Sequence, residues 1–276
     1  MTKLTGQLTY NYLNSLNIRD LRIASGGSGA INFQMSQGRL FPWAGMSLGE
    51  NVTFNQSGGI LSSSYGGLGI DSGAVYNLSD GSISSDKGLN VKGVFNQTGG
   101  GVGIFSDPST ISGLYNLTGG QLYTFDIRVT EGGTFNLDKI GEIDTVVSRI
   151  EGTFNFSGGI FASNFVENNG IFNYSDGSYA RNDHYGKAVF NNEGLFNLSG
   201  YGTRNVTVDV VNNATVKTTH TTAVYTGTFT NNGAYISDPA TQYFEDLFIG
   251  ENGYLVGQHL DNFFIRGDFI NNSMMQ

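Results

Sequence analysis

The sequence has no cysteine and only 3 prolines in 276 residues. Disulfides and thiolate metal sites are therefore excluded. Charge is scarce: Asp, Glu, Lys and Arg make up 13%, about half the usual globular share. The formal net charge is −9. So acidic a chain lacks the Lys and Arg that displace counterions from nucleic acid or anionic lipid, and neither is expected as a partner. No stretch approaches the roughly 18 apolar residues of a membrane span. Nor does any show a convincing 3.6-residue apolar period, and helix formers are sparse. The 3 histidines, His184, His220 and His259, have no metal-ligand spacing, so surface positions are expected and no metal or cofactor is implied. The opening residues Met1 to Gly6 lack the basic-then-apolar design of a signal peptide.

What is abundant is 41 Gly, 20 Phe and 14 Tyr, a composition too aromatic for disorder. These residues recur in one phrase, clearest as Gly152-Thr153-Phe154-Asn155-Phe156-Ser157-Gly158-Gly159. Its aromatic returns at Phe54, Tyr76, Phe95, Tyr115, Phe135, Phe154, Phe172 and Phe196, in steps of 22, 19, 20, 20, 19, 18 and 24 residues. Asparagine follows each time: Asn55, Asn77, Asn96, Asn116, Asn136, Asn155, Asn173 and Asn197. Self-similarity at about 20 residues marks a repeat architecture.

Read as secondary structure, the phrase is a strand of β-branched and aromatic residues closed by a Gly-Gly or Asp-Gly turn. A second short strand follows, such as Ile60-Leu61 or Gln121-Leu122-Tyr123, and then a variable loop. A unit this short must stack on its neighbours to bury its apolar side. The predicted fold is all-β: a right-handed parallel β-helix, about 20 residues per coil, with about 13 coils over roughly 60 Å. The aromatics should then pile on one another, and the asparagines should form a structural amide ladder or fill tight corners. Seven of the eight ladder asparagines also match the glycosylation acceptor pattern. Asn136-Leu-Asp138 keeps Asn but drops the hydroxyl, which favours stacking over sugar attachment.

Residues 1–276 read as a single solenoid without a hinge. Residues 1–50 are irregular first coils or a partial cap, with Trp43 over an end or side loop. Residues 51–200 are the regular array. Residues 201–276 are looser, with Asn-Gly corners as in Asn231-Asn-Gly-Ala-Tyr235, and stop in mid-pattern without a cap. That ending suggests a piece of a longer rod or, alternatively, end-to-end self-assembly.

The Gly-x-Phe-Asn-x-Ser-Gly-Gly coils and Asn-Asn-Gly-x-Phe corners, across about residues 30–276, resemble secreted bacterial β-helix proteins: autotransporter passenger domains and two-partner-secretion haemagglutinin-like adhesins. The resemblance implies an extracellular or cell-surface location, with the targeting segment outside the given sequence. It also implies partners of two kinds, other copies of itself or a host or matrix glycan or protein.

The same fold hosts pectate lyases, polygalacturonases and tailspikes, so carboxylates one coil apart need weighing. Asp107, Asp126 and Asp144 recur at 19 and 18 residues. Stacked, they would stand about 5 and 10 Å apart, the range glycosidases use. The plainer reading is three solvated loop carboxylates, with Arg128 and Arg149 near in sequence but forming no evident cluster. Tyr179, Tyr185, Tyr201 and Tyr243 are candidates for an exposed sugar-stacking surface or for partial burial under loops. The expectation is a non-enzymatic structural rod, an adhesin or surface-fibre segment. The alternative is a polysaccharide-binding or -degrading β-helix.

Overall fold

A computed structural model describes residues 6–10, 15–24, 29–180 and 186–274. Among them there is no helix; parallel strands wind into a β-solenoid of about 12 turns, roughly 20 residues each. The fold class is therefore all-β and a parallel solenoid. Its strands fall into three stacks, and one coil shows the plan. Val94–Gln97 lies in the first sheet, Gly101–Ile104 in the second and Ser109–Ile111 in the third.

Each phrase strand alternates by simple pleat geometry. Val94 and Asn96 are half-buried, whereas Phe95 and Gln97 are enclosed. Like pairs with like along the first sheet: Val94 with Val75 and Leu114, Phe95 with Tyr76 and Tyr115, Asn96 with Asn77 and Asn116. The register runs without a linker from Gly6–Tyr10 to Tyr254–Val256 among the described residues. Ile31–Met35 joins it as an ordinary rung, with Phe33 against Phe54.

The third sheet corrects the expected strand-turn-strand-loop repeat. The supposed loop carries a further short strand, Leu89–Val91 in one coil and Ile127 to Val129 in another. It was hidden because each such strand offers only two inward side chains, as with Leu89 and Val91, too short a run to show alternation.

The Gly-Gly corner has a steric cause. Gly100 and Gly120 adopt φ of +69° and +81°. A Cβ on Gly120 would sit 2.3 Å from the Gly100 carbonyl oxygen of the coil before. Corners stacked this closely leave no room for a side chain, and the left-handed backbone disfavours one anyway. The Asn136-Leu-Asp138 coil departs, where Lys139 takes φ +56°, as do later coils with His220 at +51° and Leu260 at +81°.

The core is a file of rings. From Phe33 through Phe54, Tyr76, Phe95, Tyr115, Phe135 and Phe154 to Phe172, successive centroids lie 4.6–5.1 Å apart and planes differ by 1–22°. Burying each ring stabilises by about 1.5–3 kcal/mol, with about 0.5–1.5 kcal/mol more from ring contact. The file breaks after Phe172, across the 24-residue step: Phe196 stands at 86° to it, and Phe190 from the third sheet stacks on Phe196 at 4.4 Å instead.

Candidate functional site

The phrase asparagines project from the outer side of the first sheet. Each donates from Nδ2 to the Oδ1 of the coil before. Asn77 reaches Asn55 at 2.8 Å, Asn96 reaches Asn77 at 2.8 Å, and Asn116 reaches Asn96 at 2.8 Å. Asn136, Asn155, Asn173 and Asn197 continue at 2.7–2.8 Å. Asn55 ends the run on Asn32 at 2.7 Å. The nitrogen that would carry a sugar is thus a ladder donor in every phrase. Beside this amide ridge runs a ridge of Ser79, Thr98 and Thr118, and the groove between them holds about 520 Å³.

A second ladder lies inside, unforeseen from the sequence. Asn168, Asn192, Asn212 and Asn231 are fully enclosed at the corner from third to first sheet. Nδ2 of Asn168, Asn192 and Asn212 donates at 2.7 Å to the next coil's Asn. Each also donates to a next-coil carbonyl, Leu195, Thr215 or Ala234, at 2.9–3.0 Å. The two ladders therefore run in opposite directions. The inner one begins at Asn168, whose Oδ1 finds no partner because Ile150 occupies its place on the coil before. The recurring Asn-Asn-Gly corners were its signal in the sequence.

Two of the buried tyrosines, Tyr76 and Tyr115, are matched by a glutamine one coil earlier. Tyr76 Oη donates to Gln56 Oε1 at 2.5 Å, and Tyr115 Oη to Gln97 Oε1 at 2.7 Å. Burial pushes both phenols well above their ordinary pKa.

The three aspartates are not brought together. The register advances from Asp126 to Val147, so Asp144 falls three positions short and lies in the second sheet between Tyr123 and Ala162. Equal spacing failed as a guide because the corners differ in length. Asp107 pairs with Lys87 at 3.4 Å. Asp126 is almost enclosed, at 6% exposure, where the chain turns from second to third sheet. There Arg128 donates to its Oδ2 from Nε at 3.1 Å and Nη2 at 2.9 Å. Arg149 Nη1 donates to the same oxygen, while its Nε donates to Glu167 at 3.0 Å. Arg128, Arg149 and Glu167 are in register on successive coils. The hydrogen bond to Asp126, then its charge, raises the Arg128 pKa. Asp126 is thus a coil-to-coil ion clamp with both guanidinium groups on it, and its Oδ1 alone lacks a hydrogen-bond partner.

The same corner carries exposed rings. Trp43, Tyr65, Phe105 and Phe125 are 40%, 75%, 53% and 49% exposed. Tyr65 N donates to the Trp43 carbonyl at 2.7 Å, and Phe105 N to the Ser85 carbonyl at 3.1 Å, each on the preceding coil. Trp43 therefore lies on this edge, not over an end. The Phe105 ring folds back over Gly103, where a Cβ would meet it at 2.9 Å, and comes within 6.0 Å of Tyr123.

Of the other tyrosines considered for an exposed surface, Tyr179 is instead enclosed, at 1% exposure, against Phe161 and Phe172. Tyr201 is exposed, and Tyr243 stacks on Phe264 at 4.9 Å. Tyr185 and His184 lie outside the described residues. His220 and His259 are exposed. Among the described residues no three His, Asp or Glu stand together as metal ligands. Set against family models, curated proteins and solved structures, the chain matches none of them.

Proposed function

We propose that this protein is a stiff structural rod of the extracellular or cell-surface kind, an adhesin or surface-fibre segment that presents its flanks to a partner and catalyses no reaction. The observation that carries the reading is the pair of amide ladders. They tie coil to coil on top of the backbone pairing and leave little freedom to bend. Two of the three carboxylates considered for catalysis serve the same end: Asp126 binds two guanidinium groups across coils, and Asp107 pairs with Lys87. A general acid or nucleophile would need an oxygen open to a substrate, which the enclosed Asp126 does not offer.

Two measurements test this. Negative-stain electron microscopy of the purified protein should show straight rods near 60 Å, about 12 coils at about 4.8 Å each. Beads coated with the protein should adhere to cells or matrix, and adhesion should vanish when the free protein is added in excess. Bent or globular particles would overturn the rod. Coated beads that behave like albumin-coated ones would overturn adhesion. Turnover of a polysaccharide, lost on Asp144→Asn, would replace the reading with an enzymatic one.

A further inference from the structure

We infer that the corner between the second and third sheets is a binding edge for a single uncharged polysaccharide chain lying along the rod. It rests on the rod reading only in requiring that the edge be straight.

The first observation is placement. Trp43 and Tyr65 occupy adjacent coils, the next coil brings Lys87, and Phe105 and Phe125 occupy the two after that. The rings span four coil steps, about 19 Å. They form two platforms parted by the Lys87 coil, the Trp43–Tyr65 pair and Phe105 with Phe125, not a contiguous apolar patch of the kind that buries a protein surface. A pyranose ring is about as long as one coil step, so each platform can meet the C–H face of one sugar.

The second observation is rigidity. Trp43 leans edge-on to Tyr65 with centroids 6.1 Å apart, and the Arg19 guanidinium lies 5.9 Å from the Trp43 ring. Phe105 is seated over Gly103 beside Tyr123. Rings already held in place lose little freedom on binding.

The third is charge. Along this edge Arg19 pairs with Asp20 at 3.7 Å and Lys87 with Asp107 at 3.4 Å. Arg128 and Arg149 are answered by Asp126 and Glu167. Arg22, on the flanking third-sheet strand beside Ala44 and Gly45, forms no ion pair among the described residues, but one cation cannot answer the repeating charge of a sulfated or uronic polymer. The paired groups still offer donors and acceptors to hydroxyls, as does Gln121, which donates to Glu142 at 2.8 Å on the second sheet. An uncharged glycan is what this combination fits.

The experiment is titration calorimetry of the whole protein with cellohexaose, chitohexaose and, as the acidic control, hexagalacturonate. At least one neutral hexamer should bind, and the acidic one should bind at least tenfold more weakly. The Trp43→Ala/Phe105→Ala double variant should weaken binding by about tenfold or more. Tyr201→Ala removes a ring that is 91% exposed at a different corner and should leave binding unchanged. Circular dichroism of each variant verifies the fold, and a Trp43→Phe/Phe105→Tyr variant, which keeps both platforms, should retain most of the affinity. The inference fails if neither neutral hexamer binds, if hexagalacturonate binds best, or if the double variant binds as the parent does. It also fails if the double variant changes only the sedimentation of the protein, since the edge would then join copies of the chain. Any of these results alongside straight, adhering rods leaves the rod reading standing; loss of the rods themselves is the separate failure.

Discussion

From Phe54 to Phe172 the coils are fastened outside by amides and inside by parallel rings. From Phe190 to Leu255 the enclosed amides are inside and rings of different sheets meet at steep angles, as Tyr225 does Phe229 at 71° and Tyr235 at 75°, with only short stacks such as Tyr225 on Phe244 at 8°. The first-sheet file continues there as Val216, Tyr235 and Leu255. The two halves solve one problem in two ways. In the first half a flat ring stack fills the first-sheet side of the core, and the phrase asparagines ladder on the outer face. The inner ladder instead takes the third-sheet column that Val91, Ile111, Val129 and Ile150 fill in the first half, beside coils that still carry Phe172, Phe196 and Tyr235. The exchange happens over the coils between Asn168 and Asn197, where both ladders run together.

The largest expected effect would erase the comparison. Tyr76 and Tyr115 in the first half and Tyr225 and Tyr235 in the second are buried, and burial raises all four pKa values. A raised folded-state pKa means stability is intact below the unfolded value near 10 and is lost as pH climbs above it. Circular dichroism between pH 8 and 12 should show both halves melting in one steep transition beginning near pH 10. Two separate transitions would make the halves independent units.

Next is Phe135→Ala, which opens a gap in the ring file and should cost about 3–5 kcal/mol in urea melts. Val216→Ala, at the equivalent place in the second half, removes far less buried surface and should cost about half as much. Equal losses would mean that a ring in the file contributes no more than a single Val at the same place.

The ladders differ in the same way. Asn192→Ala strips the enclosed Asn168 Nδ2 and Asn212 Oδ1 of a partner, at about 1–3 kcal/mol each. Asn116→Ala, on the half-buried outer ladder, lets water take over and should cost about 0.5–1.5 kcal/mol. An outer loss as large as the inner one would mean that the outer amides act as a cooperative chain.

The smallest effect sits at the far end. Burial pushes the Asp261 carboxyl up, but hydrogen bonds from Ser237 and from the Gln258 and Ala240 amides outweigh it, and its pKa lies below the ordinary value. A depressed pKa gives stability that is present above the unfolded value, about 3.9, and is lost as pH falls through the folded one. Hydrogen exchange at pH 3 should therefore open residues 237–262 before the first half, and Asp261→Asn should remove that pH dependence.

Much of the site was legible because register turns spacing into contact. Asn96 and Asn116 stand 20 residues apart and share a hydrogen bond. The Tyr–Gln matches were equally available: a Gln two places after the ring, as at Gln56 and Gln97, precedes each coil whose ring is Tyr76 or Tyr115. Asp126 shows where such reasoning stops. Its 18-residue distance to Asp144 counts residues, whereas corner length decides alignment. Arg128 and Arg149 looked merely near in sequence, and 21 residues proved to be one coil there.

By itself the sequence determined that the chain winds once per phrase and that like residues lie over like. A unit of about 20 residues cannot bury its rings any other way. Only the tertiary structure decided that each coil has a third side, that the two amide ladders point in opposite directions, and that Trp43, Tyr65, Phe105 and Phe125 share one edge. Those outcomes depend on how sharply each corner bends and on which side chain the neighbouring coil leaves room for, and a linear pattern carries neither.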